Sequence, residues 1–193
     1  MQRKIGVDIM KCLVCENSES IYKNIDENLK GFVCGECHGV WIPAKAYWNW
    51  LHTLHSTLPE KPESETVDLP VRDSDFIKIC PDCGHFLSKR KVGHGLPFNI
   101  DRCQCCGGVW LDQNEWEVLK SRNLHDAIHL MFSQEWQEEI LQEEQEKAYE
   151  DEIEKILGFE DYHYLKDFTD KYKLSPRKDV ILAYVRNALM DKE

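Results

Sequence analysis

Several things are scarce in this 193-residue sequence, and each scarcity removes a class of function. No run approaches the ~18 consecutive apolar residues that a membrane-spanning helix requires, so no membrane partner is expected. Residues 1–8 are partly basic but have no apolar segment behind them, so secretion is not expected and a cytoplasmic location is. The chain contains no Gly-rich phosphate loop and no nucleophile elbow. It also lacks the pair of facing Glu-x-x-His motifs that a di-iron bundle uses. No enzyme and no small-molecule substrate are therefore predicted. Positive charge is in short supply as well, with 24 basic against 35 acidic residues and a formal charge of −11. Binding to nucleic acid through phosphates depends on Lys and Arg, so nucleic acid is the less favoured partner.

What remains is the composition of a folded protein: 42% hydrophobic and 31% charged residues, six Trp, and a mean hydropathy of −0.54. Nine Cys set the class. Eight of them form four C-x-x-C pairs: Cys12/Cys15, Cys34/Cys37, Cys80/Cys83 and Cys103/Cys106. These combine into two quartets, C-x2-C-x18-C-x2-C and C-x2-C-x19-C-x2-C. A C-x-x-C turn offers two thiolates from one tight loop, and a second turn completes a tetrahedron around Zn²⁺. Intervals of ~15–20 residues suit a short β-hairpin between the pairs. Without a secretory signal the thiols are expected to stay reduced, which favours metal over disulfides. A thioredoxin-like redox pair would need a βαβ context that is missing. The reading is two structural zinc ions in closed four-thiolate sites, with Cys105 a bystander able to stand in for a ligand. Each unit spans only ~40 residues, too few for a stable core, so coordination must carry much of the folding free energy.

Cys34-Gly-Glu-Cys37-His-Gly-Val-Trp41-Ile42 and Cys103-Gln-Cys-Cys106-Gly-Gly-Val-Trp110-Leu111 share the pattern C-x-x-C-x-G-V-W-[IL] at an offset of 69 residues. One unit has been duplicated. The second copy resembles the transcription-factor-IIB-type zinc ribbon family through Cys80-Pro-Asp-Cys83-Gly84, Asp101-Arg102-Cys103, Cys106-Gly-Gly-Val-Trp-Leu-Asp112 and Glu115. Residues 79–120 fit closely. Residues 10–51 fit more loosely, with His38, Pro43 and Ala46 where the second copy has Gly107, Asp112 and Glu115. The resemblance implies a zinc-binding interaction module of the kind linked to transcription.

Within each copy the residues predict knuckle, hairpin, knuckle and short helix. Gly107 and Gly108 supply backbone freedom at the second knuckle. Residues 86–92 and Phe98, Ile100 and Arg102 form a hairpin turned by Gly93-His94-Gly95. Asp112 and Glu115 resemble a capping box for a helix reaching Lys120, and Pro43 starts the corresponding helix of the first copy. Trp41 and Trp110 could stack on bases, but their equivalent positions favour a core role. Lys89, Arg90 and Lys91 form the one basic cluster near a plausible contact site; a solvated hairpin tip is the favoured reading, and contact with phosphate or an acidic partner is the alternative.

Residues 57–76, with Pro and many acids, are expected to be a semi-extended tether. Residues 124–157 are predicted to be one helix, ended by Gly158, whose solvent face is dense in Glu; residues 123–157 carry 11 acids and two bases. Residues 161–172 and 177–190 suggest two more helices, the latter capped by Ser175-Pro176 with Val180, Ile181, Tyr184, Val185, Ala188 and Leu189 inward. His125 and His129 at i, i+4, and His52 and His55 at i, i+3, lack a third ligand. The expected fold is α+β: ribbon 1 (1–56), linker (57–76), ribbon 2 (77–122) and an acidic long helix with further helices (123–193), forming a small bundle or a long arm with a folded end. The expected role is a non-enzymatic adaptor bound to a protein or ribonucleoprotein assembly. Transcription and translation machinery lead the candidates, with direct nucleic-acid binding and thiol redox or metal buffering as alternatives.

Overall fold

The duplicated V-W-[IL] segments are among the shortest strands of the molecule, and they pair with each other. In the computed structural model, which describes residues 8–15, 17–54, 67 and 69–190, ribbon 1 contributes strands β1 (Ile9–Lys11), β2 (Glu19–Asp26), β3 (Leu29–Cys34) and β4 (Val40–Ile42), then helix α1 (Ala44–Thr53). Ribbon 2 contributes β5 (Leu87–Gly93), β6 (Leu96–Cys103) and β7 (Val109–Leu111), then α2 (Glu115–Ser121). All seven strands join one antiparallel sheet in the order β1-β2-β3-β4-β7-β6-β5. The sequence suggests two separate miniature units; the fold fuses them through β4 and β7.

The junction is reciprocal. Trp41 lies opposite Trp110, while Val40 faces Leu111 and Ile42 faces Val109. Equivalent residues thus exchange contacts, as in a two-fold interface. Both strands are covered on both faces: Trp41, Ile42, Val109, Trp110 and Leu111 are almost fully buried. Ile42, Val109 and Leu111 point into a core with Tyr47 and Trp50 of α1, Trp116, Val118 and Leu119 of α2, and Ile128 and Met131. Trp41 and Trp110 lie in a second cluster with Cys12, Cys34, Cys80 and Cys103. The tryptophans are core residues, as their repeated position implied.

Two glycines make the fusion possible. A Cβ on Gly39 would sit 2.2 Å from the Trp110 ring, and one on Gly108 would sit 2.3 Å from the Trp41 ring. Each indole lies over the glycine of the other ribbon. Gly108 therefore serves close packing, and the left-handed turn expected of it falls to Gly107 alone (φ 82°). In ribbon 1 the matching turn residue is His38 (φ 58°).

The region after α2 departs from the helical expectation. Helix α3 begins at Gln134 and runs to Leu157, while residues 124–133 form successive turns closed by bonds such as Leu130 N–H to Ala127 O (2.8 Å). Burying Ile128 and Met131 between the ribbons' helices outweighs the local helical pattern. Ser133 then accepts the Trp136 N–H through its hydroxyl (3.2 Å), starting α3. The first turns of α3 dock on the β5–β6 hairpin. Trp136 Nε1 donates to Val92 O (3.0 Å), Gln137 Nε2 donates to Lys91 O (3.0 Å), and Ile140 packs where a Gly93 side chain would be.

Residues 69–76 differ from a free tether. Leu69 and Val71 pack on the core, Arg72 bridges to Gln113, and Asn114 Nδ2 donates to Pro70 O (2.9 Å). Residues 57–66 and 68 lie outside the described residues.

The chain divides into residues 1–140 and a second unit, residues 141–193. The second unit contains the rest of α3, then α4 (Phe159–Tyr172) and α5 (Lys178–Met190). Gly158 (φ 82°) breaks α3, and Ser175 Oγ accepts the Arg177 N–H (3.2 Å) before α5. The expected bundle core is not formed. Among described residues 141–190 no side chain is buried, and Val180, Tyr184 and Leu189 are exposed where the pattern placed them inward.

Gly39→Ala and Gly108→Ala are each expected to destabilise the zinc-loaded protein by about 1–3 kcal/mol through overpacking against the opposing indole. Gly35→Ala, whose Cβ would meet nothing within 4 Å, should stay within about 0.5 kcal/mol of wild type. Urea unfolding followed by Trp fluorescence distinguishes them; equal stability of all three variants would contradict the reciprocal packing.

Candidate metal centres

Each quartet is assembled from parts the sheet holds in place. In ribbon 1, Cys12 and Cys15 sit on the turn leaving β1, Cys34 ends β3, and Cys37 lies on the turn into β4. In ribbon 2, Cys80 and Cys83 form the first knuckle, Cys103 ends β6, and Cys106 precedes β7. The hairpins bring the two knuckles together. Within each quartet the four Sγ atoms lie within 4.8 Å of one another. Cys12–Cys37, Cys80–Cys106 and Cys83–Cys103 are 3.5, 3.4 and 3.4 Å apart. A zinc–sulfur distance of ~2.3 Å gives tetrahedral edges of about 3.8 Å, so the cages have the right size. None of the nine cysteines is in a disulfide. The two quartets hold two structural zinc ions, with the eight cysteines named by spacing as the donors.

Backbone amides point at the sulfurs. Val14 and Cys15 N–H approach Cys12 Sγ at 3.4 and 3.3 Å, Glu36 N–H approaches Cys34 Sγ at 3.4 Å, and Cys106 N–H approaches Cys103 Sγ at 3.5 Å. Such donors stabilise thiolates. The backbone N–H of His85 holds the Cys83 thiol down to about 6. Burial tends to raise Cys34, but the amides of Cys37 and Glu36 bring it below the usual thiol value. Burial pushes Cys37 and Cys80 upward. A divalent cation would offset the crowding of four sulfurs, so metal binding and folding are linked.

Beside the second centre lies a polar network. Lys78 is fully buried and pairs with Asp101 (2.6 Å), with Asp112 at 3.5 Å. Asp112 accepts Trp110 Nε1–H (2.7 Å), Ser74 N–H (2.8 Å) and the Ser74 hydroxyl (2.6 Å). Its own N–H donates to the Glu115 carboxylate (2.8 Å). This is one half of the expected capping box; the Asp112 side chain is used elsewhere, and Asn114 in the left-handed region starts α2. Burial, reinforced by the Asp112 charge, raises the Glu115 pKa well above the carboxylate range. Asp73 pairs with Lys89 (2.7 Å) and accepts Asn99 N–H and Nδ2–H (3.1 and 2.7 Å). Burial works against ionisation of Asp73, but Lys89 and Asn99 lower its pKa overall. The network anchors residues 73–74 to ribbon 2. Nothing in the sequence signalled that Lys78 would be buried.

Ribbon 1 has Pro43 and Ala46 in place of Asp112 and Glu115, and Trp41 Nε1 correspondingly lacks a hydrogen-bond partner among the described residues. The basic cluster is not a uniform free surface. Lys89 is committed to Asp73, and the Arg90 guanidinium donates to Lys89 O (3.1 Å). His125 and His129 are packing residues. The His125 ring lies 5.6 Å from both Trp50 and Trp116, and His129 lies 5.0 Å from Trp48. Burial lowers the His129 pKa, and neither imidazole belongs to a metal-competent cluster among the described residues. His52 Nδ1 approaches Trp48 O (2.6 Å), and His55 lies outside the described residues.

Residues 79–122 match a family model described as a transcription factor zinc-finger, the TFIIB-type zinc ribbon. The first quartet lies outside the matched segment and forms a second four-cysteine cluster of the same kind. Comparison with curated proteins and with solved structures gives no match.

Cys103→Ser should reduce the zinc content from two ions per chain to one, by elemental analysis, and lower the melting temperature of both ribbons, because they share one sheet. Retention of two ions would remove Cys103 from the ligand set. Glu115→Gln keeps an acceptor for the Asp112 N–H, so it should be at least as stable as wild type. An acid whose folded pKa is raised weakens stability as pH climbs above its unfolded value of about 4.3. The advantage of the Glu115→Gln variant over wild type should therefore widen in urea unfolding as pH rises from about 4.3 toward the raised folded pKa, and a gap independent of pH would refute a proton held on Glu115.

Proposed function

We propose that this protein is a non-enzymatic adaptor, in which two fused zinc ribbons form a rigid platform and the helices of residues 141–190 bind a partner. The exposed apolar surface of these helices carries the reading. Ile156, Phe159, Leu174, Tyr184 and Leu189 are 71, 67, 94, 74 and 82% exposed. α4 and α5 contain no buried residue. Isolated helices of this length are marginal in water, and amphipathic ones gain stability by covering their apolar side. A partner that covers them supplies what the described residues do not. Closed four-thiolate centres leave no coordination position for a substrate, which fits a structural use of the metal.

The second ribbon's match to a transcription-type zinc finger supports a partner in the transcription machinery, with the ribosome as the other leading candidate. The partner's docking surface would be apolar, with basic side chains set against the acidic flank of α3. In that helix 10 of 24 residues are Glu or Asp and two are Lys. A direct phosphate contact through Lys89, Arg90 and Lys91 is the weaker reading, because Asp73 already neutralises Lys89.

The test is affinity purification of the full chain from native lysate, compared with a Leu182→Glu/Leu189→Glu variant. The wild type should retain a macromolecular assembly that the variant loses, with zinc content and the melting temperature of the zinc ribbons unchanged. An Arg90→Glu/Lys91→Glu variant should keep the assembly. Recovery of no assembly by the wild type, or loss of it only in the Arg90→Glu/Lys91→Glu variant, would reject the adaptor reading.

A further inference from the structure

Ribbon 2 carries two soft donors beyond its zinc quartet. The Sγ atoms of Cys83 and Cys105 and a ring nitrogen of His85 lie within 4.8 Å of one another. Cys83 is half-buried as part of the zinc centre, whereas His85 and Cys105 are exposed. The backbone fixes all three. Gly84, in the left-handed region (φ 75°), turns the chain so that His85 returns beside Cys83, its Nδ1 3.2 Å from Cys83 O. The Cys80 N–H donates to His85 O (2.7 Å) and closes this turn. Cys105 sits between Cys103 and Cys106, on a turn tied down at both ends by zinc ligands and closed by Gly107 N–H to Cys103 O (2.8 Å). Neither His85 nor Cys105 is needed to complete the zinc quartet.

Ribbon 1 provides an internal comparison. Its first knuckle is closed by the Cys12 N–H donating to Ser18 O (2.9 Å), so Ser18 takes the place of His85 there. Glu36 stands where ribbon 2 has Cys105, and it accepts a hydrogen bond from the Ser18 hydroxyl. No third donor set forms beside that quartet among the described residues. The extra donors belong to one copy of the duplicated unit.

The chemistry of the set favours a second ion. A zinc centre with four thiolates has a net double negative charge, which attracts another cation to its open side. A zinc-bound thiolate retains lone pairs, so Cys83 Sγ can bridge two metals. Two sulfurs and an imidazole form a soft, three-donor set; thiolate ligands of this type select Cu⁺ and Zn²⁺ over hard ions such as Mg²⁺ or Ca²⁺. Three donors at an exposed rim suit the low coordination number of Cu⁺. We propose that Cys83, His85 and Cys105 form a second, solvent-open metal site on ribbon 2 that takes a thiophilic d¹⁰ ion of the Cu⁺ type, with the Cys83 thiolate bridging it to the structural zinc.

The experiment starts from the full-length protein loaded with two zinc ions. It is treated anaerobically with one equivalent of Cu⁺ from a buffered donor and desalted, and both metals are counted by mass spectrometry. The wild type should hold two zinc ions and one copper ion. Cys105→Ser and His85→Asn should keep both zincs and bind Cu⁺ at least tenfold more weakly. Copper bound only as zinc leaves, no copper bound by the wild type, or undiminished copper in Cys105→Ser would each overturn the proposal. Loss of zinc from Cys105→Ser would also overturn it, because Cys105 would then belong to the structural quartet.

Discussion

Four thiolates gathered within 4.8 Å repel one another unless a divalent cation sits among them. That constraint governs the molecule twice. It draws each pair of knuckles together, and it thereby fixes the ends of the β2–β3 and β5–β6 hairpins. The backbone amides that approach Cys12, Cys34 and Cys103 add to the same balance. A hairpin of this size has too little apolar surface to hold its own shape. Coordination supplies the rigidity that the strands then pass to the rest of the sheet.

The two centres do not act in isolation, because β4 and β7 are neighbours in the sheet. Exchange of Trp41 and Trp110 across the junction buries two large rings in a space that only glycine at 39 and 108 leaves open. The opposite sheet face holds the aromatic residues of α1 and α2, with the turns of residues 124–133 packed over them. Duplication here produced one domain with an internal two-fold relationship. Divergence followed on one side. Ribbon 2 acquired, or kept, Lys78, Asp101, Asp112 and Glu115 as a buried polar network, where ribbon 1 has Met10, Phe32, Pro43 and Ala46 at the matching distances from its own cysteines. That network is what clamps residues 73–74 against the second ribbon.

The C-terminal unit follows different rules. Its helices are well marked by Gly158 and by Ser175-Pro176, yet their apolar residues are left at the surface. Local signals are enough to begin and end a helix; they do not supply something to pack against. This contrast between a metal-stapled platform and uncovered helices is the basis for the adaptor role we propose.

Spacing alone identified both zinc quartets, since a C-x-x-C turn has few other uses in so regular an arrangement. Repetition of G-V-W likewise marked the tryptophans as core, and turn residues marked the helix limits at Gly158 and Ser175. Those features depend on neighbours a few residues apart, which is the range over which a sequence speaks directly. The pairing of β4 with β7, the burial of Lys78 and the docking of residues 69–76 depend on groups far apart in the chain: Asp112 lies 38 residues from Ser74 and Asp101 lies 23 from Lys78. Only the folded chain brings such partners together. For the same reason residues 124–133 form successive turns where the local pattern is helical, and those turns bury Ile128 and Met131 against the helices of both ribbons.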